Sequence, residues 1–441
     1  MSRKDTALKY FNEQPSEVRL RTETGIELYR KGNAHITVKR ADGTIVENFA
    51  VEAEQKNHEF RFGANIFMLD ELETPEKNLI YREKFAELFN LATVPFYWSD
   101  LEPDQGKPRF AADSPKIYRR PAPDLCVSYC KEKGIEPKCH CLNYSNFTPV
   151  WARDVTIDEH KALLEKRFRE IAERYAKDIP SFEVTNETLQ AKRPAAHEFF
   201  LANDFLDWSF RTADKYFPNN RLIINDYAIW NPGTYNDRQQ YYMQIERLMR
   251  DGIKHLDSVG MQFHSFFLPE KEADMASSRY NPAVLYRLMD CYARLGLAEQ
   301  ITEMTIPAYS NEAEDEEVQA ELLKNLYTVF FSHPSMEAVI YWNLVDGYAA
   351  FAPRGDMTAG ENKYYGGLLR FDMSEKPAFK VLKDLIHKEW HTSAQVKTEN
   401  GTALLRGFYG DYELKIYADG KTVPLNFRLL SKKDNSLTVT I

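Results

Sequence analysis

Along this chain, short apolar runs that end in polar or aromatic residues alternate with longer stretches of helical periodicity. The runs are "FRFGANIF" (60–67), "NLATVPFYW" (90–98), "PKCHCLNY" (137–144), "PSFEVTNE" (180–187), "RLIINDY" (221–227), "VGMQFHSFF" (259–267), "EQITEMTIP" (299–307) and "AVIYWNL" (338–344). Apolar runs of this length read as buried strands, and helices between them call for parallel pairing. Eight such units predict a closed (β/α)8 TIM barrel. The intervening stretches agree. Over 158–178, Leu164, Phe168, Ile171, Ala172 and Tyr175 recur on one helical face with charges opposite. The acidic stretch 311–323 reads as the polar start of another helix, where carboxylates suit the positive end of the dipole.

The two ends follow a different period. Residues 35–55 and 403–441 alternate apolar and polar positions around Asp-Gly turns. They predict antiparallel strands outside the barrel, pairing into one small flanking β-sandwich. The chain then divides into an N-terminal segment (1–58) contributing strands to the sandwich, a catalytic barrel (59–392) and C-terminal sandwich strands (393–441). The sandwich either braces the barrel or binds carbohydrate, and bracing is the simpler role.

Composition narrows the partners. The 441 residues are 43% hydrophobic and 28% charged, as in an ordinary globular protein, but include 27 Phe, 25 Tyr and 6 Trp. Flat side chains in such number suit a groove for flat ligands such as sugar rings. A net charge of −9 without a basic stripe argues against a nucleic-acid partner. No apolar run approaches a membrane span. The N-terminal twenty residues lack an apolar signal core, so a cytoplasmic location is expected, or a secreted or periplasmic one if a leader has been removed. Cys126, Cys130, Cys139, Cys141 and Cys291 imply no disulfide framework. On a strand Cys139 and Cys141 share a face that His140 does not, so buried free thiols are expected rather than a zinc site.

Catalytic groups of such barrels project from the C-terminal strand ends. Those ends supply His140 on the third strand, Asn186 and Glu187 on the fourth, and Asn225-Asp226-Tyr227 on the fifth. The later strands supply Gln262 and His264 on the sixth, Glu303 on the seventh and Trp342-Asn343 on the eighth. A lone Glu at a strand end is more often a salt-bridged structural residue. Two from nearly opposite strands make the pair that glycosidic cleavage needs, one protonating the leaving oxygen and the other attacking or activating water. The histidines come from separate strands without metal-ligand spacing, and the two carboxylates with the sugar suffice for the reaction, so no metal or organic cofactor is expected.

Several motifs, in order, resemble those of glycoside hydrolase family 10, the retaining β-xylanase family. "WSDLEPDQG" (98–106) is similar to its W-x-x-x-E-P-x-x-G, and "CHCLNYSNFTPVW" (139–151) to its G-H-x-L-V-W-H-x-Q-x-P-x-W. "FEVTNE", "NDY", "MQFH", "ITEMTI", "YWNLVD" and "GGLLRFDMSEKPAF" are similar to further family stretches. The resemblance spans residues 60–390. It implies Glu187 as general acid/base and Glu303 as nucleophile, with Asn186 donating to the sugar 2-hydroxyl. It further implies His264 orienting Glu303 with support from Gln262, His140 touching the same sugar, Trp342 closing over it and Tyr227 stacking on the leaving-group side. Trp98, Tyr97 and Tyr144 join the expected substrate-binding residues.

The resemblance also marks departures. Thr93, Val94 and Tyr97 stand where the family has a Glu-Asn pair and a Lys that grip the next sugar upstream. Tyr144, Ser145 and Phe147 replace Trp, His and Gln; Thr305 replaces an Asp; Ala350 replaces a Trp. The expected activity is therefore that of a retaining, endo-1,4-β-xylanase-like hydrolase on a carbohydrate partner. A different β-glycan or attack from the chain end is the variant, and a carbohydrate-binding protein without turnover is the non-enzymatic rival. The mechanism requires a raised pKa at Glu187, an ionised Glu303, and carboxyls about 5–5.5 Å apart.

Overall fold

The computed structural model describes residues 2–189, 196–227, 229–230 and 236–441. Two strands, β1 (Lys31–Lys39) and β2 (Phe49–His58), precede the barrel. The barrel consists of β3 (Arg61–Asn65), β4 (Leu91–Pro95), β5 (Glu136–His140), β6 (Ser181–Asn186), β7 (Arg221–Asp226), β8 (Leu256–His264), β9 (Ala298–Thr305) and β10 (Met336–Tyr341). Neighbours follow chain order, all pairs are parallel, and β10 closes on β3. Strands covered on both faces have no reason to alternate: every residue of β4 and β6 is buried. The apolar runs are the strands, extended by a few residues into the site loops.

β11 (Ser393–Lys397), β12 (Thr402–Phe408), β13 (Gly410–Ala418), β14 (Lys421–Leu429) and β15 (Ser436–Thr440) follow the barrel. They join β1 and β2 in two sheets, β12-β1-β15 and β11-β2-β13-β14. Ile36, Val38, Val51, Leu405, Leu414 and Ile416 are buried between them. Asp419 (φ 48°) and Gly420 (φ 72°) make the tight turn joining β13 to β14, both residues in the left-handed region that such a hairpin requires.

Three features differ from the sequence expectation. β1 and β2 flank the Asp42-Gly43 turn yet lie in different sheets. β15 runs parallel to β1, so the sandwich is not wholly antiparallel: after β14 the chain crosses to the other sheet and enters it in the direction of β1. Residues 3–29 form three helices, Arg3–Ala7, Lys9–Asn12 and Ser16–Tyr29, that pack on the barrel rather than in the sandwich. Arg3 reaches Glu272 at 2.8 Å and Asp315 at 3.0 Å.

Two buried cations hold the end of the barrel where the strands exit. Helix Ile157–Tyr175 starts at a reciprocal Thr156/Glu159 cap and buries Leu164, Phe168, Ile171 and Tyr175. From its inner face Arg167 donates to the carbonyls of Leu142 (3.0 Å), Cys141 (3.2 Å) and Phe96, tying the exits of β4 and β5 together. Lys376, from the closing "KPAF" stretch, pairs with Asp346 beyond β10 at 2.5 Å, both buried, while Gly367 N donates to Asp346 Oδ1. All five cysteines are buried and free. Among the described residues no helix is long and apolar enough to cross a membrane.

Removing one partner of a buried pair leaves an uncompensated charge. Asp346→Ala should cost about 3 kcal/mol in urea unfolding, against less than about 1 kcal/mol for Lys324→Ala in the exposed pair with Glu389.

Candidate active site

The exits of β5 to β10 enclose a cavity of about 870 Å³ bordered by His140, Asn186, Glu187, Gln262, His264, Glu303 and Trp342, with Tyr97, Tyr144 and Tyr227 on its walls. Glu187 follows the last residue of β6 with φ 52°, a strained backbone for a residue with a Cβ, and its N–H donates to Asn225 O at 2.9 Å. The turn sends Asn186 and Glu187 into the same space instead of to opposite faces.

Asn186 Oδ1 accepts from Asn225 Nδ2 at 2.8 Å and from Gln262 Nε2 at 3.1 Å. Its Nδ2 keeps only a 3.4 Å contact to Glu187 and remains available as a donor to a ligand. Glu303 accepts from Asn225 Nδ2 at 2.9 Å and lies 3.1 Å from His264 Nε2. His264 Nδ1 meets Thr305 Oγ1 at 3.0 Å, so a neutral hydroxyl takes the place of the expected Asp. Burial raises the pKa of Glu187; the charges of Glu303 and Asp226 act in the same direction, and hydrogen bonds from Tyr144 and Gln262 oppose it.

Several expected site residues are placed otherwise. Trp98 does not border the cavity. It is buried beside Trp151 and His160 and donates to Glu102 Oε2 at 3.0 Å, while Glu102 Oε1 accepts from Gly106 N at 2.7 Å. The W-x-x-x-E-P motif is thus a folded turn. Gln262 supports Asn186 and approaches Glu187 (3.5 Å) rather than backing His264. His140 borders the cavity, but both ring nitrogens are occupied, Nδ1 by Glu183 and Nε2 by the Tyr97 hydroxyl at 2.9 Å. Tyr97 therefore stands between His140 and a ligand. Trp342 is buried edge-on against Phe67 and His140, and Tyr227, 40% exposed, sits at the rim.

Beneath the floor lies a cluster that the strand ends did not reveal. Glu183 pairs with Lys138 and His140, all buried, and accepts from Asn225 Nδ2 at 3.3 Å. Burial alone would raise the Glu183 pKa, but the two cations hold it at about 2. The signal was present: a charge inside a run buried on both faces needs a partner. His140, Glu183 and Glu303 place one ligand atom each within 4.8 Å of one another. Lys138 is paired with Glu183, and Asn225 Nδ2 donates to both Glu183 and Glu303, so the set is already supplied with donors and does not suit a cation. Arg119, Arg120 and Phe67, also on the cavity wall, were likewise missed, because two of them come from the loop 102–122, which has no periodicity.

The model of glycosyl hydrolase family 10 matches residues 57–384. This chain belongs to glycoside hydrolase family 10. Among curated relatives it is 24% identical over 404 residues to anti-sigma-I factor RsgI6 of Acetivibrio thermocellus, covering 89% of this chain and 46% of that one. It is 23% identical over 253 residues to endo-1,4-beta-xylanase B of Cellvibrio japonicus, covering 57% and 38%. The chain thus spans less than half the length of either relative. Xylanase 10B from Thermotoga petrophila in complex with xylobiose shares the fold, with a TM-score of 0.60 at 22% identity over 75% of this chain and 95% of that one. The family binds carbohydrate.

In this family 10 chain the hydroxyl of Tyr144 favours the ionised form of Glu187. Tyr144→Phe should therefore raise the Glu187 pKa further. The alkaline limb of kcat/KM should shift to higher pH under the general-acid role proposed for Glu187 below, because such a group acts only while protonated. Trp98→Phe should lower stability by about 1 kcal/mol in denaturant and leave kcat/KM within about twofold, since no ligand reaches it.

Proposed function

We propose that this protein is a retaining β-glycoside hydrolase of the endo-1,4-β-xylanase type. The observation that carries the proposal is the pair Glu187 and Glu303, from nearly opposite strands, facing one cavity in unlike surroundings. Glu303 accepts from Asn225 Nδ2 and lies 3.1 Å from His264 Nε2. Glu187 is buried with a raised pKa, which favours the acid.

In the first step Glu303 attacks the anomeric carbon and forms a glycosyl ester as the bond to the leaving oxygen breaks. Glu187 gives its proton to that oxygen. In the second step Glu187 takes a proton from water, the water oxygen attacks the anomeric carbon, and Glu303 leaves as a carboxylate. Asn186 Nδ2, with its 3.4 Å contact to Glu187, would bond a sugar hydroxyl. The named xylanase relatives support xylan as the first substrate to test.

A second reading, a different β-glycan or attack from the chain end, is favoured by Tyr97 capping His140 and by the arginines on the upstream wall. The test is product release from a panel of β-glycans by the native protein, Glu303→Gln and Glu187→Gln, with the product anomer followed by NMR. Each substitution should reduce turnover at least about 10³-fold, and the first-formed product should keep the β configuration. Inversion would overturn the mechanism, and xylan left intact beside another cleaved glycan would select the second reading. No product from any glycan would leave a carbohydrate-binding protein.

A further inference from the structure

Arg119 is only 5% exposed, yet it borders the active-site cavity. Among the described residues no carboxylate lies within ion-pair distance of its guanidinium. Nη1 donates to two neutral oxygens, Asn343 Oδ1 at 2.9 Å and Tyr348 O. Nε and Nη2, the two donors along one edge of the fork, have no hydrogen-bond partner among the described residues.

The ring contact of Arg119 is Phe67, 5.7 Å from the guanidinium carbon, and no anion neutralises it among the described residues. Arg120, next in sequence, adds a second guanidinium on the same wall, 4.3 Å from the Tyr97 ring centre and 5.4 Å from those of Phe67 and Phe147. Asp100 is committed to Arg120 at 2.6 Å. Glu361 also borders the cavity, but beyond ion-pair reach of Arg119, and it accepts from Ala350 N at 3.3 Å. Arg119 itself has φ 63°, a left-handed backbone that is costly for a residue with a side chain. A buried cation normally has an anion against it, because desolvating an unpaired charge is expensive. Burial and Arg120 both push the Arg119 pKa down, as expected for a cation without its counter-ion.

From the open edge of this buried fork we infer that the cavity takes a glycan carrying an anionic group on its upstream side, held bidentately by Arg119 Nε and Nη2. A guanidinium edge matches a planar carboxylate, so a uronic acid unit is the main source; a sulfate ester offers the same oxyanion chemistry. Phe147, half-buried and stacked on Tyr97, supplies apolar surface for the ring that bears the group. The inference rests on the glycoside hydrolase reading for its substrate, but not for its test.

Binding is measured by calorimetry on Glu303→Gln, so that turnover is not required. The probes are glucuronic-acid-bearing xylo-oligosaccharides, the same oligosaccharides after reduction of the carboxyl to an alcohol, and a sulfated xylo-oligosaccharide of equal length. The acidic probe should bind roughly tenfold or more tighter than its reduced form. The double variant Glu303→Gln/Arg119→Gln should bring that ratio close to one, and Glu303→Gln/Arg119→Lys should recover part of it. Thermal melts of both confirm that they fold. Tighter binding of the sulfated probe than of the carboxylate would assign the anion to a sulfate ester. Equal affinity for the acidic and reduced probes, no affinity for either anionic probe, or a ratio unmoved by Arg119→Gln would overturn the inference. Absence of hydrolysis by the native protein, with the binding ratio intact, would overturn the hydrolase reading alone.

Discussion

The side chain of Asn225, fully buried on β7, donates from Nδ2 to Asn186 at 2.8 Å and to Glu303 at 2.9 Å, while its Oδ1 accepts from Thr302 at 2.5 Å. One amide therefore ties Asn186, proposed to align a sugar, to the carboxylate that would attack it. It also explains why β8 carries Gly260 alongside: a Cβ there would lie 2.7 Å from Asn225 Oδ1 and push the amide out of register. Since β7 and β8 are paired at Asn225 and Gly260, closure of the barrel is what fixes this geometry. An open sheet could present the same side chains but could not hold them across its interior.

Charge is layered around that amide. Lys138 and His140 keep the buried Glu183 ionised, and Glu183 accepts a third, longer bond from Asn225. The Glu183 carboxylate, more than offsetting burial, raises the His140 pKa. Glu303 thus sits above a floor that is rich in donors, whereas Glu187 looks into the cavity from a strained turn with one tyrosine and one glutamine near it. Unlike environments for two chemically identical carboxyls are what separate an acid from a nucleophile.

Parallel strands buried on both faces have a plain signature, and all eight were legible as apolar runs. What the runs could not convey was where each strand stops, because aromatic and polar site residues follow without a break. The helices Arg3–Ala7 and Lys9–Asn12 are short, and Ser16–Tyr29 buries little beyond Gly25, so no apolar stripe marked them. The direction of β15 depends on which sheet the chain enters, a choice made by tertiary packing. Glu187 and Glu303 were legible as candidates because each is a carboxylate at the end of a predicted strand, and both border one cavity. Trp98 was misplaced because a motif records that a tryptophan is needed, not whether a sugar or a glutamate needs it. Arg119 was invisible because only the folded loop shows that its charge is buried with no carboxylate in ion-pair reach among the described residues.

His140 shows how a retained residue can lose a contact. The histidine is where the family pattern puts it, but Tyr97 occupies its Nε2. Tyr97 also stands where that pattern has a lysine, so the strand no longer supplies a positive charge to the upstream side. The charge returns from the loop 102–122: the Arg120 guanidinium lies 4.3 Å from the centre of the Tyr97 ring, with Arg119 beside it. A lysine is a mobile point charge that can bond a sugar hydroxyl, whereas a guanidinium pinned by Asp100 and aromatic rings is planar and directional. Moving the charge from a strand lysine to loop arginines therefore changes what the upstream wall can recognise, while the groups that would break the bond stay in place.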